Sequence, residues 1–173
     1  MSINRSSGKT VPTPLSTPIV ISTPGISEKA PRMNVASLSS VSDLVGSYVQ
    51  TSVSLAGSAA DSGNATKISL GNGDNAIVIE RFWSNLYTPY LKVNATVDLA
   101  SATISIPAQV VYNDETFGPI SLVKTTDGAP LRNEPITAHI DTDGSITLDS
   151  PWGLYVDSEG TNKDKYLYAN YNT

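Results

Sequence analysis

What most constrains this chain is a period of two. From Ser47 onward apolar and polar residues alternate over short runs, and turn-forming residues interrupt them every 8–14 residues. Such alternation turns one face of each run to a core and the other to water, the pattern of antiparallel strands. The runs read "SYVQTSVSL", "ATKISL", "NAIVIERFW", "LKVNATVDL", "ATISIPAQVVY", "GPISLVKT", "PITAHID", "GSITLDS", "WGLYVDS" and "KYLYANY". Between them, Asn72-Gly73 in "GNGDN" and the stretch Asp141 to Gly144, "DTDG", carry residues that tolerate the positive φ of tight hairpins. Helical periodicity never exceeds one turn, placed at Ser42 to Gly46, capped by Ser42 and stopped by Gly46. The order predicts an all-β chain: an antiparallel β-sandwich or flattened β-barrel of about 8–10 strands, joined mostly as a meander.

The first part of the chain does not share this pattern. Residues 1–42 hold five of the eleven prolines, Pro12, Pro14, Pro18, Pro24 and Pro31. Proline fixes φ, removes a donor and pushes its predecessor to extended backbone, so the segment is expected to be extended. It is not a plain polar linker, because Val11, Leu15, Ile19, Val20, Ile21 and Ile26 are spread along it. A solvated tail has no use for these side chains, whereas an arm laid along a partner does. The chain therefore divides into an N-terminal anchoring arm, 1–42, and an antiparallel β-domain, 43–173, with those six residues as the partner-binding set.

Charge follows the same division. Arg5, Lys9, Lys29 and Arg32 against Glu28 give the arm +3, which leaves −8 on residues 43–173 of a chain whose net charge is −5. An acidic body repels phosphates and argues against nucleic acid as a partner, and a basic arm suits an acidic protein surface. The 173 residues, 39% hydrophobic, suffice for one core. No run approaches a membrane span. "MSINRSSGKT" is not followed by an apolar run of signal-peptide length and no lipoprotein cysteine exists, which predicts assembly in the cytoplasm of the producing cell.

Candidate chemistry is sparse. The absence of cysteine excludes disulfides and thiol catalysis. His139 is the single histidine and the one candidate base; alternation sets it with Thr137 and Asp141, opposite Ile136, Ala138 and Ile140. Glu80, Asp98, Asp114, Glu115 and Glu134 are candidate carboxylates for glycoside hydrolysis, but spacing does not pair them, and they read equally as strand ends and loops. "DTDGS" and "GNGDN" resemble pieces of calcium loops but lack the third acid and the closing glutamate, and turns account for both. The expectation is no catalytic residue, no metal and no cofactor.

Aromatic rings gather at "RFWSNLYTPY", with Trp83, Tyr87 and Tyr90, and in the C-terminal stretch from Trp152, with Tyr155, Tyr166, Tyr168 and Tyr171. Core packing, a protein interface and a sugar-stacking platform all use such rings. Trp83, Tyr87, Tyr90 and Trp152 are the candidate surface or ligand contacts.

"LVGSYVQTSVSL", "NAIVIERFW", "LKVNATVDLASATISIPAQVVY", "GPISLV" and "ITAHIDTDGSITLDSPWGLYV" together resemble a β-domain common in Bacteroidetes surface lipoproteins, over roughly Leu44 to Val156. The resemblance implies a small, lipocalin-like antiparallel barrel or sandwich and brings no active-site residues. Those proteins carry an export signal and a lipidated cysteine, and this sequence shows a Pro/Thr arm instead. An arm ahead of such a β-domain looks like the plan of capsid-decoration and head-fibre proteins, including those of crAss-like bacteriophages. The expectation is a non-enzymatic virion structural protein, self-associating and bound through its arm to capsid or other virion proteins, with neither nucleic acid nor membrane as partner. The alternative is a bacterial cell-surface binding module for carbohydrate or a small ligand.

Overall fold

The computed structural model describes residues 20–22, 38–54, 61–83, 90–127, 129–157 and 166–172; for 20–22, 51–54, 61–64 and 166–172 it describes the backbone course. The described residues are all-β, with thirteen strands and one 3-10 turn. The first strand, β1, spans Val20–Ser22. Then come β2 (Gly46–Ser54), β3 (Asp61–Leu70), β4 (Ala76–Glu80), β5 (Lys92–Asp98), β6 (Thr103–Ile106), β7 (Gln109–Asp114) and β8 (Gly118–Thr126). Five more follow: β9 (Ala129–Leu131), β10 (Ile136–Ile140), β11 (Ile146–Leu148), β12 (Trp152–Val156) and β13 (Tyr166–Asn172). The surplus over ten comes from β1 and β9, three residues each and too short to show a period, and from the division of the run "ATISIPAQVVY" into β6 and β7.

Strands β2 to β6 form the expected meander, each pairing antiparallel with the next. Their hairpins follow from local chemistry. Between β3 and β4, Gly73 takes φ 123° and the Gly71 N–H donates to the Ala76 carbonyl at 2.8 Å. Between β5 and β6, the Asp98 carboxylate accepts from the Ala100 and Ser101 N–H groups and the Ser101 hydroxyl, while Ala102 sits at φ 52°. The tight turn from β10 to β11 has Gly144 at φ 85°.

The meander breaks at Pro107-Ala108. The single alternating run "ATISIPAQVVY" is two strands in two sheets: β6 pairs with β5 and β10, and β7 pairs with β8. Proline cannot donate to a ladder, so pairing stops there. Gln109 fixes the corner: its side-chain amide accepts from the Asn94 N–H at 2.9 Å and donates to the Asn94 carbonyl at 2.8 Å, acting as one more rung beside β5.

The first sheet runs β2-β3-β4-β5-β6-β10-β11 and curls into a half-barrel, with β1 paired to both of its end strands. The second sheet runs β13-β12-β8-β7, with β9 on β8. Strand β2 belongs to both, because along its length it meets β1 at Val49–Thr51 and β13 at Val53 and Ser54.

One core joins the sheets. Ile77, Ile79, Val93, Ile104, Ile106 and Ile136 come from the half-barrel, and Ile120, Leu122, Trp152, Leu154 and Val156 from the second sheet. Strand β12 is buried along all five residues, so both its faces are covered. At the junction Trp152 meets Phe82 at 5.2 Å and Trp83 at 5.9 Å, the latter edge-to-face. The short turn is a 3-10 helix at Val41–Leu44, and its cap is Ser40, two residues before the expected Ser42: the Ser40 hydroxyl accepts from the Ser42 N–H, and Asp43 reaches back to the Ser40 N–H. Leu44 seats this turn in the core, where the buried Tyr48 hydroxyl donates to the Leu44 carbonyl at 2.7 Å. Burial pushes that phenol up to about 12.

Candidate functional site

The feature most open to function is the seam where the arm enters the fold. Its sides are β2 and β11, and β1 lies between them. Val20 and Ile21 stand opposite Thr147 and Ile146 of β11, and Val20, Ile21 and Ser22 stand opposite Thr51, Gln50 and Val49 of β2. Of the six arm residues expected to meet a partner, Val20 and Ile21 thus lie in a strand paired within the chain. Val11, Leu15, Ile19 and Ile26 lie outside the described residues.

The interior beside this seam is polar, unlike the aliphatic wall opposite. Gln50 and Thr66 point inward at 1% and 0% exposure. The Thr66 hydroxyl lies 3.1 Å from both the Gln50 side-chain oxygen and the Arg81 carbonyl. The Gln50 side-chain nitrogen is buried without a hydrogen-bond partner, an arrangement that costs stability.

From the seam outward along the sheet, cross-strand register lines up Thr51, Val20, Thr147, His139, Thr103 and Asp98 in one row. His139 is half-exposed as expected, with Nδ1 at 2.5 Å from Asp149 Oδ1 and Nε2 at 3.5 Å from Asp141 Oδ1. The Ser145 hydroxyl donates to Asp143 and Asp141, and the Thr147 hydroxyl to Asp141. Two carboxylates, Asp141 and Asp149, therefore flank the imidazole, and Asp143 and Asp98 add charge further along the same turn and row. Among the described residues the partners of His139 are carboxylates, which makes this a hydrogen-bonded acidic face. Hydrogen bonds from Ser101 and Ala100 hold the Asp98 carboxyl below its ordinary range, and those from Ser145 do the same for Asp143.

Each remaining candidate acid has a local place. Asp114 accepts from the Thr116 and Phe117 N–H groups in the β7–β8 turn, and Glu115 is exposed in that turn. Glu134 pairs with Lys124 at 2.7 Å, and Glu80 faces Lys92 at 3.8 Å. Among the described residues, no group of three or more histidine, cysteine or acidic side chains is arranged to hold a metal ion.

The aromatic candidates separate. Trp83 and Trp152 are core residues, 1% and 0% exposed, so neither offers a ring face to a surface ligand. Their ring contact with each other, and that of Trp152 with Phe82, hold them in the core. Tyr90 is 58% exposed, with the Arg81 guanidinium 4.8 Å above its ring. Tyr87 lies outside the described residues. Next to Arg81, an open depression of about 270 Å³ is lined by Ser47, Ala65, Thr66, Lys67, Glu80 and Arg81. Sequence reading missed it, because its residues come from three strands and no motif joins them. Arg81, a non-glycine residue, takes φ 57° where β4 ends.

These residues define an all-β protein: a curled antiparallel half-barrel bridged by a strand from its own arm, with a second sheet closing one core. No family model, no curated protein and no solved structure matches the chain.

Proposed function

We propose that this chain is a non-enzymatic structural protein of a virion, a head-fibre or decoration protein whose arm anchors it and whose β-domain is displayed. The observation that carries the reading is β1: a proline-flanked piece of the arm, Val20–Ser22, serves as a strand between β2 and β11. Strand addition is a common way for an extended segment to join one folded unit to another, because main-chain hydrogen bonds supply affinity without a fixed side-chain code. The residues ahead of β1, with Val11, Leu15 and Ile19, are then the part that reaches the particle. The basic arm and acidic body fit this division, and so does the resemblance in residues 44–156 to displayed surface domains.

The test is co-sedimentation with virions that lack the protein. The full chain is expected to decorate them. A version lacking residues 1–17, which keeps β1, is expected to remain folded and stay in the supernatant. Equal decoration by both versions would contradict the reading.

A second reading, a cell-surface binding module, draws on the depression beside Arg81 and the exposed Tyr90 ring. It predicts glycan or small-ligand affinity that falls on Arg81→Ala or Tyr90→Ala, and it fails if a broad glycan panel shows no binding.

A further inference from the structure

We propose that β1 is exchanged between copies, so that Val20–Ser22 of one chain fills the slot between β2 and β11 of another. This goes beyond attachment to a particle and does not depend on it.

The argument starts from connection length. The hairpins on either side of the slot are tight: five residues join β3 to β4, four join β5 to β6, and five join β10 to β11. Strands β1 and β2 are also antiparallel neighbours, yet twenty-three residues, 23–45, separate them. Nothing about an antiparallel pair calls for such a length. Residues 23–37 alone, fifteen in number, can span about 50 Å when extended. A chain of this size has a radius of gyration of roughly 16 Å, so that reach extends to the slot of an adjacent copy.

Energetics do not hold the strand at home. A β1 from a second copy makes the same rungs to Thr147 and Ile146 on one side and to Thr51, Gln50 and Val49 on the other. The balance between own and neighbouring strand then rests on connection and local concentration alone. Its three residues can leave without breaking any rung among β2, β3, β4, β5, β6, β10 and β11. The slot is also the weakly sealed side of the fold, because the residue opposite Ile21 is Gln50, whose side-chain nitrogen lacks a partner. Charge supplies attraction between copies: the two ends of β11, one side of the slot, carry Asp141 and Asp143 in the β10–β11 turn and Asp149, and Lys9, Lys29 and Arg32 flank the strand in the arm. Opposite charges of this kind speed encounter.

The absence of cysteine makes the test direct. Facing Cα atoms in an antiparallel pair lie within disulfide range. Two differently tagged full-length chains are co-expressed, one with Val20→Cys and the other with Thr51→Cys, and then oxidised. Exchange predicts a disulfide-linked heterodimer, a shift from 18.2 kDa to twice that on a non-reducing gel. The same is expected for Val20→Cys with Thr147→Cys and for Ser22→Cys with Val49→Cys, so no single variant decides the matter. Val20→Cys with Leu70→Cys, at the exposed far end of β3, sets the background. The proposal is overturned if a single chain carrying both Val20→Cys and Thr51→Cys closes on itself while the mixed chains give no more heterodimer than the Leu70→Cys background. It is equally overturned if no pair cross-links at all, since β1 would then not occupy the slot.

Discussion

The wall made by β3 to β6 and the seam at β2, β1 and β11 use the same ladder hydrogen bonds, but they are put together differently. In the wall each strand follows its neighbour in sequence, and its inner face is Ile77, Ile79, Val93, Ala95, Val97, Ile104 and Ile106. At the seam the middle strand comes from a remote arm, is three residues long, and lies beside the inward Gln50 and Thr66. Short loops cost little entropy to close, and aliphatic burial contributes the stabilising term, so the wall can hold itself together. The seam has a longer closure and an unsatisfied amide. The difference teaches that one half of the half-barrel is a scaffold and the other is where the chain can be opened or joined.

The strongest perturbation should ignore this division. Trp152→Ala empties the junction against Phe82 and Trp83, and is expected to cost about 3–5 kcal/mol in urea unfolding. Because the core is shared, one cooperative transition is predicted; two separate transitions would break the comparison by making the sheets independent. Ile21→Pro removes a ladder donor from β1 and should cost about 2 kcal/mol, with faster amide exchange confined to the seam. Gln50→Leu sharpens the contrast from the other side. It deletes the buried unpaired nitrogen while Thr66 keeps the Arg81 carbonyl, so stability should stay level or rise by up to about 1 kcal/mol, read as the urea midpoint. A loss well beyond that would mean the polar interior supports the seam.

The smallest effect is acid sensitivity. Asp98 and Asp143 titrate below the ordinary carboxylate value because the folded turns hydrogen-bond their charged forms. A carboxyl depressed in the folded state contributes above its unfolded pKa, and that contribution is lost as pH falls through the folded value. The β5–β6 and β10–β11 turns should therefore loosen below the unperturbed value of 3.8. Asp98→Asn should flatten that acid limb in a pH series of melting temperatures without altering its neutral plateau much.

Much of the wall was legible in the sequence because its determinants are local. Alternation in "NAIVIE" and "KVNATVD" and the glycines at 73 and 144 mark strands and hairpins by sterics alone. The split of "ATISIPAQVVY" was hidden because alternation continues through Pro107 while the strand changes sheets. Strands β1 and β9 are too short for any period to register. The aromatic residues offered as surface or ligand contacts could not be sorted by exposure from the sequence: Trp83 and Trp152 are buried, while Tyr90, seven residues after Trp83, stacks under Arg81 in the open. The seam was invisible for a different reason. Pairing between residues 20–22 and both β2 and β11 is a long-range fact, and the arm's prolines signal extension without saying what lies on either side.

The most direct measurement is hydrogen exchange on the full chain beside a version lacking residues 1–22. If the arm strand closes the half-barrel, amides in Val49–Thr51 and Ile146–Leu148 lose protection in the shortened chain, while those in β4, β5 and β6 keep theirs. Unchanged protection at β2 and β11 would contradict the account, because it would mean that β1 is not what bridges them.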